Sequence, residues 1–183
     1  MNFLSLLAVA LSLVSATVAA PSCNDKKTLS QAYIGESKDV SIEYLHCSNI
    51  IHPVPEAIEL KKRQTPPVDV CGAACTTNCF VPTGGGPDPN ECKVIADALL
   101  YDSEAIGALF TLDPATTTSL IAMKYNSCET FITSQVTYPL QYCRNDWSTL
   151  VNYIAVNCQS TENAHGGNCV AADQRWFIQV QHS

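Results

Sequence analysis

Apolar residues recur along this chain with two periods, and the places where one gives way to the other mark its elements. Trp147, Leu150, Val151, Ile154, Ala155 and Cys158 fall at i, i+3, i+4, i+7, i+8 and i+11, the spacing that gathers one face of an α-helix. Asn145 or Asp146 supplies its cap and suits the positive N-terminus. Val94, Ile95, Ala98 and Leu99 repeat the pattern behind Asp88-Pro89-Asn90-Glu91. There Asp88 can cap, Pro89 fits the first helical position and Glu91 stands where a capping-box acid belongs. Ile106 falls beyond the expected end of that helix.

Elsewhere the period is two. In Arg175–Gln181, Trp176, Ile178 and Val180 share one face, opposite Phe177, Gln179 and Gln181. Thr116–Tyr125 sets Leu120 and Ala122 against Ile121, Met123 and Tyr125. Ala108–Leu112 is a short strand stopped by Asp113-Pro114, and Thr130–Thr133 is another within Cys128–Ser134. Val40–Leu45 alternates more modestly. Val68–Phe80 fits either an N-terminal strand or a short helical turn, and Gly84-Gly85-Gly86 follows as a connector. Alternation of this kind marks a sheet with one covered face. The order strand, helix, strand, strand, helix, strand predicts an α+β fold. Its expected form is a ferredoxin-like split βαβ sandwich, with two helices on one face of an antiparallel sheet.

The first twenty residues follow neither period. Phe3–Val14 is apolar except for Ser5 and Ser12, and small residues lead through Ala19-Ala20 to Pro21. This is the pattern of a signal peptide, too short to span a bilayer. No later apolar run reaches the ~20 residues of a membrane helix, so no membrane insertion is expected. Lys61-Lys62-Arg63 is the densest positive run in the chain. It lies between His52-Pro53-Val54-Pro55 and Gln64-Thr65-Pro66-Pro67, and exposed proline-rich linkers are where proteases cut. The expected organisation is a signal peptide at 1–20, a propeptide at 21–63 and a mature domain at 64–183. A kexin-type protease would be the processing partner and would leave Gln64 as the new N-terminus.

Cysteine usage agrees with that route. Of ten cysteines, Cys23 and Cys47 precede the basic site. Cys71, Cys75, Cys79, Cys92, Cys128, Cys143, Cys158 and Cys169 follow it. Both groups are even, so each can pair within itself, and an oxidising compartment makes disulfides the default. Bridges at Cys92, Cys143 and Cys158 would clamp the helices to the layer beneath. Zinc is the lesser reading for the Cys71-Cys75-Cys79 repeat, because zinc sites usually show two close ligand pairs. Neither a metal nor any other cofactor is expected.

Charge narrows the partners. The propeptide's charges cancel, whereas the mature part sets four basic residues against eleven acidic ones. That excludes the electrostatic footprint of a nucleic-acid binder. No G-x-S-x-G is present. His165 precedes Gly166-Gly167, and nothing in the spacing of Arg175, Glu129 and His165 argues that they meet. A ribonuclease- or glycosidase-like hydrolase is the alternative to binding, and a cell-wall lectin is a third reading. Trp147 and Trp176 fall at core spacing. Tyr138 and Tyr142, in Tyr138-Pro139-Leu140-Gln141-Tyr142, are the better surface-contact candidates. Asn-x-Ser/Thr is absent, and Asn-x-Cys occurs at Asn90-Glu91-Cys92 and Asn126-Ser127-Cys128. N-glycosylation is not expected where those cysteines are bridged.

The run Cys92, Tyr125-Asn126-Ser127-Cys128, Cys143, Trp147, Cys158, Gly166-Gly167-Asn168-Cys169 and Trp176-Phe177-Ile178-Gln179-Val180 resembles the small secreted effectors of plant-associated fungi. Among them it is most similar to the killer-toxin-like α/β family. The resemblance covers Cys92 to Val180 and rests on cysteine spacing and a GGxC turn. It implies a kexin-processed precursor, two helices on a four-stranded sheet, and bridges from helix to strand. It also implies secretion and action on a host or competitor, through a protein or a cell-wall glycan, and transfers no catalytic residue. The Cys71-Cys75-Cys79 cluster has no counterpart in it. The expected function is therefore that of an extracellular effector or toxin-like binder.

Overall fold

In the computed structural model, residues 26–47, 66–80, 85–114, 118–160 and 166–183 are described. The elements run β1 (Lys26–Ile34), β2 (Val40–Cys47), β3 (Val68–Asp69), β4 (Cys75–Cys79) and α1 (Pro89–Ile106). They continue with β5 (Leu109–Leu112), β6 (Leu120–Tyr125), β7 (Cys128–Ser134), β8 (Leu140–Cys143), α2 (Arg144–Ser160), β9 (Gly166–Ala171) and β10 (Trp176–His182). Among the described residues these form a seven-stranded sheet, β1-β2-β6-β7-β10-β9-β4, and a three-stranded one, β3-β8-β5. Every pairing in the larger sheet is antiparallel. The fold is thus α+β, with two helices and a mostly antiparallel sheet.

Alternation explains which residues the helices cover. Ile121 and Met123 of β6, Ile132 of β7 and Trp176, Ile178 and Val180 of β10 share one core with Ile95, Leu99, Trp147, Val151 and Ile154 of the two helices. Each of these is nearly inaccessible to solvent, and burial on this scale is worth roughly 1.5–3 kcal/mol per large side chain. Trp147 also satisfies its polar end, donating from Nε1 to Thr130 Oγ1 at 3.1 Å.

Four disulfides between described residues join these layers. Cys92–Cys128 ties α1 to β7, and Cys79–Cys158 ties α2 to β4. Cys75–Cys169 links β4 to β9, and Cys71–Cys143 anchors the segment after β3 to the end of β8. Cys75 and Cys79 stand on a strand, which resolves the ambiguity over Val68–Phe80 in favour of strands.

Several local expectations are corrected. Ile106 is the last residue of α1, which ends at Gly107 with φ 106°. Asp88 caps α1 by accepting from the Asn90 N–H at 2.8 Å. Glu91 does not reach back to complete a capping box. It turns to the β6–β7 turn and accepts from the Ser127 N–H at 2.9 Å. Neither Asn145 nor Asp146 stands at the cap of α2, which begins at Arg144 and holds both within its first turn; Asp146 there accepts from the Gly72 N–H at 2.5 Å. Gly166-Gly167 belongs to β9 rather than to a loop, and Leu140–Cys143 is a strand that runs directly into α2. The largest departure is N-terminal. β2 extends the Val40–Leu45 strand to Cys47, and β1 pairs with it along its whole length. The segment expected to be a propeptide supplies two strands of the main sheet.

Candidate functional site

The place where this N-terminal hairpin meets the rest of the chain gathers the most specific geometry in the molecule. β2 pairs with β6 from Ser41↔Lys124 to Leu45↔Leu120. Because side chains alternate along a strand, β2 serves both faces of the sheet. Val40 and Ile42, with Ile34 from β1, enter the main core beside Ile95, Ala98 and Leu99 of α1. Leu45 and Cys47 enter a second cluster with Leu120, Ala122 and Phe131 on the opposite face. Two further bonds close the corner: Cys47 N–H donates to Ser119 Oγ at 2.8 Å, and Ser119 N–H donates to the Leu45 carbonyl at 3.1 Å.

The turn of the hairpin is fitted to α1. Gly35 has φ +83°, and a Cβ there would lie 2.9 Å from the Ala98 Cβ. A side chain at this position is therefore excluded twice, by backbone conformation and by contact. The Gly35 N–H points at Asp102 Oδ1, 3.4 Å away, on the buried side of α1.

The two edges of the seven-stranded sheet are managed differently. β4 carries Cys75, Thr76, Thr77, Asn78 and Cys79, and two of its residues are bridged into neighbouring elements. β1 is exposed along almost its whole length and bears Lys26 and Lys27. A polar, lysine-bearing outer strand is a recognised guard against edge-to-edge pairing. Beneath it, Leu120, Ile121, Ala122 and Met123 of β6 are all buried. Without the hairpin, β6 would be the edge, and an apolar one.

No disulfide between described residues crosses Lys61-Lys62-Arg63. The eight later cysteines pair entirely among themselves. Cys47 is disulfide-bonded too, and its expected partner Cys23 lies outside the described residues, as do Lys61, Lys62, Arg63, Gln64 and His165.

The remaining candidates do not assemble into one site. Tyr138 is partly exposed, but Tyr142 is buried, its ring 4.7 Å from Trp176 and 6.0 Å from Phe110. Burial, with Asp146 nearby, pushes its hydroxyl pKa up. Tyr142 is a core residue, which corrects its assignment to a contact surface. Alternation places it inward because Leu140–Cys143 is a strand. Cys71, Cys143 and Asp146 bring their donor atoms close together, yet both sulfurs belong to one disulfide and are not thiolate ligands. Glu129, on β7 opposite Gln181, and Arg175, just before β10, lie at opposite ends of the β7–β10 ladder. Glu129 accepts from Gln181 Nε2 at 3.0 Å, while Arg175 Nε donates to Asp173 at 2.7 Å.

Glu91 has a structural task that the capping motif concealed. Its carboxylate accepts from the Ser127 N–H and hydroxyl and from Asn126 Nδ2, so it holds the β6–β7 turn against the first turn of α1. The Asp88 N–H in turn donates to Ser127 Oγ at 3.0 Å. The Ser127 bonds hold the Glu91 pKa below its ordinary value, with Asn126 and His182 adding to the effect. A depressed folded-state pKa contributes stability that is present above the unfolded value and lost as pH falls through the folded one. Acid unfolding of the parent should therefore show a component below the usual glutamate range. Glu91→Gln should remove it, and superimposable acid-unfolding curves for the two proteins would refute this role.

β1 is the structural part that pattern reading missed. In Lys26–Ile34 only Ile34 is buried, so no alternation betrays it. The signal available was the run of residues after Val40, which needs a neighbour on each side. No protein-family model, no curated protein and no solved structure matches this chain.

Proposed function

We propose that this chain is a secreted, disulfide-stabilised protein of the killer-toxin-like effector kind, acting extracellularly by binding a host or competitor molecule. In this reading a kexin-type protease cuts after Arg63 in the secretory pathway. The observation that carries it is the pairing of the cysteines: all eight after the basic site close on one another, leaving a domain covalently complete without what precedes it. Four bridges suit an oxidising, protease-rich setting. The split βαβ reading has support as well. β7 and β9 both run antiparallel to β10 and so parallel to each other, joined through α2, with β10 between them.

Intact-mass analysis of the secreted protein under denaturing conditions tests the processing. The expected chain begins at Gln64, and alkylation without reduction should label none of its eight cysteines. A single chain beginning near Pro21 would overturn the processing, and two or more labelled cysteines would overturn the framework. The activity is tested by adding purified protein to plant tissue and to competitor fungal cells. A response abolished by reducing the disulfides is expected, whereas no response in either system would count against the effector reading.

A further inference from the structure

We propose that the β6 edge, together with the flank of α1, is a strand-acceptor site, and that residues 26–47 become its exchangeable ligand once the chain is cut after Arg63. This rests on the processing reading above. The hairpin would then remain as a second, non-covalently held chain rather than a discarded leader.

Three observations carry the proposal. The hairpin is seated by main-chain pairing with β6 over Ser41–Leu45 and by buried side chains on both faces of the sheet: Ile34, Val40 and Ile42 on one, Leu45 and Cys47 on the other. This is strand addition, in which the ladder gives affinity and alternate side chains give selectivity. Next, its departure would leave Leu120–Met123 as an open apolar edge, the kind that pairs with whatever strand is available. Finally, no described bridge crosses the cut. Before cleavage the linker holds the hairpin at an effective concentration on the order of millimolar. Afterwards the same contacts must hold as a bimolecular complex, so the occupant can exchange.

The seat also specifies its ligand class. The pairing strand must offer aliphatic residues at two positions two apart, where Val40 and Ile42 now sit. The turn must place a glycine against Ala98 with its N–H toward Asp102, because no Cβ fits there. The outer strand must be able to face solvent along almost its whole length, as β1 does. The chain's own hairpin meets all three conditions.

The test uses the full chain with a site-specific protease sequence in place of Lys61-Lys62-Arg63, and a fluorescent synthetic peptide of residues 21–47 with its two cysteines joined. After the cut, the N-terminal piece should co-elute with the remainder in gel filtration. The labelled peptide should enter the cut protein at one per domain and should not enter the uncut chain. A peptide carrying Ile42→Asp should bind at least about 100-fold more weakly, since it would bury an unpaired charge. The proposal is overturned if the piece separates and no peptide binds, if the uncut chain takes up the peptide equally, if the Ile42→Asp peptide binds as well, or if the freed domain dimerises instead. Treating the unaltered chain with a kexin-type protease gives a separate answer. Resistance there, with exchange in the engineered chain, would sink the processing reading alone.

Discussion

Cys158→Ser is expected to lower stability by about 2–5 kcal/mol, the usual cost of losing a native bridge in a small secreted domain. That is a large part of the roughly 5–15 kcal/mol a domain has in total. Cys158 is fully buried near the end of α2, and its bridge to Cys79 spans 79 residues of sequence. The bridge is what joins α2 covalently to the edge strand β4. Without it, β4 keeps its ladder to β9, the Cys75–Cys169 bond and its packing against the core, but no covalent tie to α2. The abandoned Cys79 thiol is then open to exchange with the other bridges. Yield of folded protein, melting temperature and protease resistance should fall together. A variant as stable and as well produced as the parent would refute the structural role of this pair.

Gly166→Ala should be the most damaging single methyl addition. Gly166 has φ +93°, and a Cβ there would lie 2.1 Å from the Val180 carbonyl oxygen and 2.9 Å from its carbon. Those atoms are backbone of a central strand, so no side chain can swing aside. The left-handed conformation costs an L-residue about 1–2 kcal/mol, and overpacking adds about 1–3 kcal/mol. Gly72→Ala is the control, because Gly72 also has positive φ (+67°) but open space around its Cβ position. Comparing the two by thermal unfolding isolates the contact from the conformation. A Gly166→Ala loss no larger than that of Gly72→Ala would show that β9 and β10 separate without cost.

The same glycine shows where sequence reasoning stops. Two adjacent glycines before Asn168-Cys169 read locally as a turn, because glycine tolerates turn geometry. Their actual reason is non-local: β9 lies so near its neighbours that Gly167, too, would set a Cβ 2.5 Å from the Asn78 carbonyl oxygen. Helices α1 and α2 were legible because a period of 3.6 is written into consecutive residues. β10 and β6 were legible because each alternates between a covered face and another. β8 was not, since Pro139 and two tyrosines resemble a loop and only the burial of Leu140 and Tyr142 reveals a strand. The hairpin's seat was not legible either. Val40–Leu45 reads as a strand, but nothing local says that its neighbour is β6, more than seventy residues away. The candidate site is therefore a product of pairing, whereas the expected processing residues are a reading of composition.

The cysteine pairing also sets an order of events during synthesis. Cys71, Cys75 and Cys79 emerge from the ribosome in quick succession, and their partners stand 72, 94 and 79 residues further on. At ~5–20 residues per second, the wait for Cys143 alone is roughly 4–14 s. Throughout that interval the three thiols are closest to one another, and any bond formed among them is non-native. Among the bridges between described residues, only Cys92–Cys128, separated by 36 residues, can close before the later partners arrive. It is also the bond that takes the cysteine out of both Asn-x-Cys sequons, so their chance of receiving a glycan ends when that pair oxidises. Correct oxidation of the N-terminal triplet must await the far end of the chain, which makes this protein a client for disulfide reshuffling rather than for first-come pairing.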